Sequence, residues 1–354
     1  MTRSIGPSSA SPHVTVVIPA YNLAAYLPEA IDSVLQQDYP GSIAIIILDD
    51  GSTDSTLSVA RQYAQRVANL QTHTQANQGR AVTRNRLLEL AETDLVAWLD
   101  GDDIASPTWL RQQVNHLVKD SDCVAVGGQG YAMTASRRPL GPITHPLDFQ
   151  QIDQRHLDGQ ANAFFQSCVT LRKAAVEQAG GYNPQFSCAE DYDLWLRLAE
   201  IGALVNLPDV HLFYRVHATS ANWTVNIEQR NQGFEILQQA RRRRGLPPRE
   251  APWQEIPPAS KDDWNRRLFW INIALRSGNP RSALEMIGPA LKRHPASLVL
   301  HLAAIVAVLD TILFRGNRTR SFSPGRPTEI GSLPKFSCYR FGRSLNRIRR
   351  RLFA

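Results

Sequence analysis

The sequence predicts an α/β protein: a mostly parallel, doubly wound sheet with helices on both faces, followed by a small α-helical region. Three observations carry this. Short runs of Val, Ile and Leu alternate with amphipathic stretches from Val14 to about residue 127. The runs are rich in Val, Ile and Leu, too apolar for a half-exposed sheet and typical of strands buried on both faces. Polar turns follow three of them, two of these acidic, at the carboxyl ends where ligands bind in such sheets. The 354 residues, 43% of them hydrophobic, suffice for a sizeable core.

Taken in order, Val14–Ile18, Ile43–Leu48, Leu70–Thr74, Leu95–Leu99 and Cys123–Val126 read as strands. Leu27–Gln36, Ser55–Arg66, Val82–Ala91 and Thr108–Lys119 read as the helices between them, with Pro107 where a helix start tolerates proline. Residues 128–165, rich in Gly, Pro, His and Gln, show little periodicity and read as irregular. Phe164–Leu171 is a strand candidate, Lys173–Ala179 a helix ended by Gly180-Gly181, Asp191 to about Ile201 a helix stopped at Gly202, and Leu204–Leu207 a strand. A helix near Val225–Arg243 leads into the Arg241–Arg244 run and a Pro-rich linker.

The domain reading is therefore a flexible N-terminus over 1–13, an α/β domain over 14–240, an Arg/Pro-rich linker over 241–263, a helical region over 264–314 and a basic tail over 315–354. Charge divides the chain in the same place. Residues 1–240 hold 16 Lys+Arg and 25 Asp+Glu, a net of −9, whereas residues 241–354 hold 23 and 7, a net of +16. The second part therefore faces something anionic. The N-terminal residues Met1 to His13 hold no apolar run behind a basic start, and the cysteines Cys123, Cys168, Cys188 and Cys338 are scattered. From both features a cytoplasmic protein with reduced thiols is expected.

The chemistry gathers at strand ends. The first strand runs into Pro19-Ala20-Tyr21-Asn22, the second into Asp49-Asp50-Gly51-Ser52-Thr53-Asp54, the fourth into Asp100-Gly101-Asp102-Asp103. Carboxylates crowded as at Asp100, Asp102 and Asp103 suit Mg²⁺ or Mn²⁺ bridging to phosphate oxygens. The same triplet also reads as an acidic helix cap. Asp50 at a strand tip can accept hydrogen bonds from a base or ribose, while Thr53 or Asp54 serves as a cap. Glu190-Asp191 opens a helix with an apolar stripe of Leu194, Trp195 and Leu198. Acids there are stabilised by the helix dipole, or one of them is a general base for an acceptor hydroxyl.

Together these residues resemble glycosyltransferase family 2, over about Val14 to Ser220. Val16-Val17-Ile18-Pro19-Ala20-Tyr21-Asn22 is similar to the family's opening strand and donor loop, and Leu48-Asp49-Asp50-Gly51-Ser52-Thr53-Asp54 to its nucleobase-binding turn. Asn77-Gln78-Gly79 and Thr83-Arg84-Asn85 match a Gly and Ala-Arg-Asn segment in which Thr83 departs from the usual alanine. Trp98-Leu99-Asp100-Gly101-Asp102-Asp103 is like the metal motif. Gly180-Gly181-Tyr182 with Glu190-Asp191-Tyr192-Asp193-Leu194-Trp195-Leu196-Arg197 is like the acceptor-side motif, and Tyr214-Arg215-Val216-His217 with Ser220 like a closing segment.

The resemblance implies a GT-A fold and inverting, metal-dependent transfer from a nucleotide-diphosphate sugar, a UDP-sugar above all, to a hydroxyl of a saccharide or lipid-linked acceptor in cell-surface polysaccharide or glycolipid synthesis. It implies Asp191 as catalytic base; Pro19, Tyr21, Asp50, Arg84, Asp100 and Gly101 as donor-binding; Glu190 and Trp195 on the acceptor side; and Asp102, Asp100 and His217 as ligands of Mg²⁺ or Mn²⁺. The alternatives are transfer to polyprenyl phosphate and a non-catalytic nucleotide-sugar-binding protein. Nucleic acid is not an expected partner, because the basic tail comes without stacking motifs.

In the second part, Gly278, Ala283, Ile287, Ala290 and Pro295 follow the spacing of one tetratricopeptide-like hairpin. Ala296–Phe314 is the most apolar stretch, yet it carries His301 and Asp310, and a central Asp costs about 2.5–3.5 kcal/mol in a bilayer. It reads as a helix packed on the hairpin or lying at an interface. Arg340–Phe353 has a basic amphipathic pattern, suited to peripheral contact with an anionic inner leaflet.

Overall fold

The computed structural model describes residues 11–160, 163–217, 227–249 and 264–313. The basic tail and most of the linker lie outside these. The described residues form two compact units, the first from 11–130, 143–214 and 227–249, the second from 131–142, 215–217 and 264–313.

The first unit begins with alternating strands and helices: β1 Val14–Ala20, α1 Leu27–Leu35, β2 Ile43–Asp49, α2 Thr56–Arg66, β3 Leu70–Thr74, α3 Arg80–Leu90 and β4 Leu95–Trp98. After the two-residue β5, Ile104–Ala105, come α4 Trp109–Lys119 and β6 Cys123–Thr134. In chain order β7 Pro139–Ile143, of which 139–142 belong to the second unit, α5 Phe149–Leu157, β8 Val169–Arg172, α6 Lys173–Gln178, α7 Glu190–Leu198, β9 Ala203–Val216 and α8 Ile227–Arg243 follow.

Among the described residues the sheet order is β3-β2-β1-β4-β8-β6-β9-β5, with β7 paired to β6. β3, β2, β1 and β4 are parallel, with Val14 beside both Ile43 and Leu95. β8 lies antiparallel to β4 and β6. Along β1, Val14, Val16 and Ile18 join a core with α1 and α4, whereas Val17 joins Leu48, Trp98, Leu87 of α3 and Leu194 of α7 on the other face. Successive side chains point to opposite faces, so a strand covered on both sides is apolar at every position. That is why these strands were visible as continuous runs.

Residues 128–165 correct the expectation of irregularity. β6 runs on to Thr134, and α5 starts behind Asp148, whose carboxylate caps Gln151 N at 2.9 Å. The glycines hid the strand by contributing no hydrophobic side chain. They are needed for close approach: a Cβ on Gly128 would lie 2.3 Å from the His211 ring, and one on Gly127 2.5 Å from Asn206 Oδ1. The expected strand over Phe164–Leu171 is confined to Val169–Arg172, and β9 extends well beyond Leu204–Leu207 to take in His211.

In the second unit α9 Trp264–Arg276 and α10 Pro280–Arg293 make a hairpin, and α11 Leu298–Leu313 packs on α10. Gly278, at φ 73°, ends α9 with Asn279 N bonded back to Ala274 O at 2.8 Å. The turn between β6 and β7 is fixed to α10 by Ser282 Oγ to Pro139 O at 2.6 Å and by Arg138 with Glu285 at 3.2 Å. No helix among the described residues is long and apolar enough to cross a membrane.

Candidate active site

The ends of β1, β2 and β4 come together because their backbones keep bonding past the strands. Asp50 N donates to Ala20 O at 2.9 Å, Gln75 N to Asp49 O at 3.0 Å, and Leu99 N to Val17 O at 3.1 Å. Asn22, in the left-handed region at φ 55° that asparagine tolerates, accepts from Thr53 N at 2.8 Å, and Ser52 Oγ accepts from Asn22 N at 2.9 Å. The β1 and β2 tips are thereby stitched into one loop pair. Gly51, at φ 73°, admits the chain after β3 so closely that a Cβ would meet Asn77 N at 2.7 Å.

Asp50 is buried beneath this loop pair. Its carboxylate accepts from Gln75 Nε2 at 2.8 Å and from the backbone of Gln78 and Gly79, each at 3.0 Å. Thr83 explains itself here: its hydroxyl accepts from Gln75 Nε2 at 3.1 Å and donates to Gly79 O at 2.8 Å. Gln75, which no sequence signal singles out, is therefore the hub between the β2 tip and α3. Asp49 is fixed by Thr74 Oγ1 at 3.0 Å; the N-cap position of α2 falls to Ser55 rather than to Thr53 or Asp54, though Asp54 Oδ1 accepts from Thr56 N at 2.9 Å. The Asp49–Asp54 run is thus partly structural.

At the β4 tip, Gly101 is pressed against the β1 loop, where a Cβ would meet Leu23 at 3.0 Å and Pro19 O at 3.2 Å. Ser167 Oγ receives Asp100 N at 3.1 Å. Burial raises the Asp100 carboxyl pKa; Arg84 opposes this and the neighbouring Asp102 charge adds to it. Asp103 is buried, Asp102 half-buried, and Tyr21 projects to solvent.

Arg84, on the buried side of α3, binds this tip to a distant part of the chain. One terminal nitrogen donates to Glu190 Oε1, and the other lies 3.4 Å from Asp100 Oδ1. Arg80 adds a contact to Glu190 at 3.6 Å. Burial opposes the charge on Arg84, but Glu190, Asp100, Tyr182 and Asp191 together push its pKa above the ordinary value. Burial likewise raises Glu190, against the pull of Arg84 and Arg80. Beside this pair the Tyr182 ring stands edge-on to Trp98 at 5.4 Å and under the guanidinium at 5.6 Å. Asn85, next to Arg84, accepts from Tyr182 N at 2.8 Å and donates to Tyr182 O at 2.7 Å. Ordering of the turn before α7 thus comes from α3.

Asp191 follows Glu190 in the first turn of α7, half-buried, with Oδ1 accepting from Tyr192 N at 2.8 Å. Its charge acts on both Arg84 and Tyr182. Trp195 sits elsewhere: it is 0% exposed and edge-on to Phe164 at 5.0 Å, a core residue with no surface for an acceptor. Glu190, 1% exposed, meets Arg84 and Arg80 rather than solvent. His217, buried, follows β9.

Among the described residues no three His, Cys, Asp or Glu side chains are grouped to hold a metal. Asp100 and Asp102 nevertheless fit a hard divalent cation, which is commonly held by one or two carboxylates with water and substrate phosphates completing its shell. Such a charge would oppose the burial cost and the lesser Asp102 repulsion that raise Asp100.

The family model described as glycosyl transferase family 2 matches residues 15–180. TuaG of Bacillus subtilis (strain 168), described as a teichuronic acid biosynthesis glycosyltransferase, is 30% identical over 193 residues, 54% of this chain and 73% of that protein. Among solved structures, S. aureus TarS 1–349 in complex with UDP-GlcNAc aligns with a TM-score of 0.54 and 15% identity, over 89% of this chain and 95% of that one. The mannosyltransferase PcManGT from Pyrobaculum calidifontis, in complex with GDP-Man and Mn²⁺, gives 0.50 and 20% identity, over 88% and 92%. These two likenesses show the fold.

Proposed function

The chain belongs to glycosyltransferase family 2, with a GT-A fold, and on that premise we propose that it transfers a sugar, with inversion, from a UDP-sugar to a hydroxyl of a saccharide or lipid-linked acceptor in surface polysaccharide synthesis. The observation that carries this reading is the Arg84 guanidinium. It bonds both to Glu190, the neighbour of Asp191, and to Asp100, which supports a reading in which the base side and the leaving-group side meet at one rigid group.

In this reading the donor lies over Pro19, Tyr21 and Gly101, with its nucleoside toward Asp50. Asp102 and Asp100 would hold a Mg²⁺ or Mn²⁺ ion, which would supply charge neutralisation on the diphosphate. PcManGT was solved with Mn²⁺ and a nucleotide sugar, which supports this assignment. Asp191 takes the proton of the acceptor hydroxyl as its oxygen attacks the anomeric carbon from the face opposite the diphosphate. The bond from that carbon to the diphosphate oxygen breaks, the nucleoside diphosphate departs with the electron pair, and the configuration inverts. Asp191 suits the role because it is half-buried in the first turn of α7, next to the Glu190 that pairs with Arg84. Asp191→Asn is expected to lower kcat by about 10²–10⁴-fold, the usual worth of a general base, with donor Kd by calorimetry nearly unchanged. Full turnover in that variant would remove Asp191 from the mechanism.

A further inference from the structure

α11 buries only a narrow seam and leaves several of its larger aliphatic side chains exposed. Leu300, Ala303 and Ala307 are 0–1% exposed, forming a narrow seam. On the opposite side Leu298, Ile305, Val308 and Leu309 are 71%, 54%, 43% and 47% exposed, with His301 also exposed among them. Thirteen of the sixteen residues of α11 are apolar, so the helix is hydrophobic around most of its circumference but covered on one side only. A helix of that kind is ordinarily buried all round, and an exposed apolar strip of this sort marks an interaction surface.

Charge decides which partner fits it. Residues 264–313 carry six Lys+Arg against two Asp+Glu, and residues 314–354 carry eleven against one. α10 ends on exposed Lys292 and Arg293, immediately before α11. A second copy would set like charge against like. A surface that is anionic outside and apolar just beneath satisfies the helix and the charges together.

We propose that the outward face of α11 docks onto an anionic lipid bilayer, with the helix in the plane of the interface, Leu298, Ile305, Val308 and Leu309 among the upper acyl chains, and the flanking basic residues on the headgroups. The proposal is independent of the acceptor and of the transfer chemistry. It needs no membrane span.

The test is co-sedimentation of the full chain with vesicles of phosphatidylcholine alone or mixed with phosphatidylglycerol. Mixed vesicles should bind about tenfold or more tightly, and raising the salt should erode the difference. Ile305→Glu with Leu309→Glu should cut binding about tenfold, with an unchanged melting curve by circular dichroism, because both side chains lie outside the core. Lys292→Glu with Arg293→Glu, which leaves α11 untouched, should weaken binding to mixed vesicles only. Equal binding to both vesicle types, or wild-type binding by the Ile305/Leu309 variant, overturns the proposal. So does a vesicle-indifferent dimer that this variant dissociates, which would assign the face to a second copy.

Discussion

Arg84 and Glu190 form an ion pair closed to water on both sides, with 6% and 1% of their side chains exposed, and the same guanidinium reaches Asp100 at 3.4 Å. Two charges removed from solvent are tolerable only as a pair, and removing one partner strands the other. Glu190→Ala is therefore expected to cost about 3–5 kcal/mol in urea unfolding. Arg84→Met combined with Glu190→Leu should recover more than half of that loss while still lacking transferase activity. Stability of the Glu190→Ala variant within about 1 kcal/mol of wild type would mean that the pair is not closed to water.

Asp102 separates the metal reading from the helix-cap reading. If it holds Mg²⁺ or Mn²⁺, Asp102→Ala should weaken Mn²⁺-dependent binding of the UDP-sugar by at least the 10–100-fold typical of losing even an outer partner of a metal site. Calorimetry with Mn²⁺ and with a chelator checks this, the difference between the two conditions vanishing in the variant. An unchanged difference assigns Asp102 to capping.

Most of the parallel half of the fold is legible in the sequence because burial on both faces makes Val14–Ile18, Thr15 apart, and all of Leu95–Trp98 apolar. β6 beyond Val126 is not, because Gly127, Gly128 and Gly130 yield their side-chain space to Asn206, His211 and Phe165. The tips of the candidate site show in the same way, through short polar runs after apolar ones. What sequence spacing cannot show is which of those polar groups are already engaged. Asp50 is held by Gln75 and two backbone amides, Glu190 by Arg84, and Trp195 belongs to the core although its helix begins at the site. These pairings join residues far apart in the chain, and no local pattern encodes them.

Gly181 tests how the turn before α7 is held. It adopts φ 70°, and a Cβ there would lie 2.7 Å from Asn85 Oδ1, the atom that accepts from Tyr182 N. Gly181→Ala should therefore destabilise by about 1–3 kcal/mol, combining left-handed backbone strain with displacement of Asn85. Because Tyr182 stands beside Arg84, kcat should fall more than donor affinity. Asn85→Ala, which removes the two bonds without the strain, should reproduce the kcat effect with the smaller stability loss.

His156 sets the acid limit of the fold. It is fully buried against Tyr192, edge-on at 5.7 Å, and neither ring nitrogen has a hydrogen-bond partner. Burial lowers its pKa to about 3, with His145 and Arg244 acting in the same direction. The unfolded chain binds this proton near the ordinary value of about 6.5, so between those limits the unfolded state carries more protons than the folded one. Stability is accordingly full above about pH 6.5 and declines as the pH falls toward 3, by up to about tenfold in the folding constant per unit for this one group. His211, lowered to about 4 chiefly by burial, adds to the same slope over a narrower window. Urea midpoints measured from pH 7 to pH 4.5 should show the decline, and His156→Leu should flatten it by close to one proton. A His156→Leu variant with the wild-type slope would place the acid-sensitive proton elsewhere.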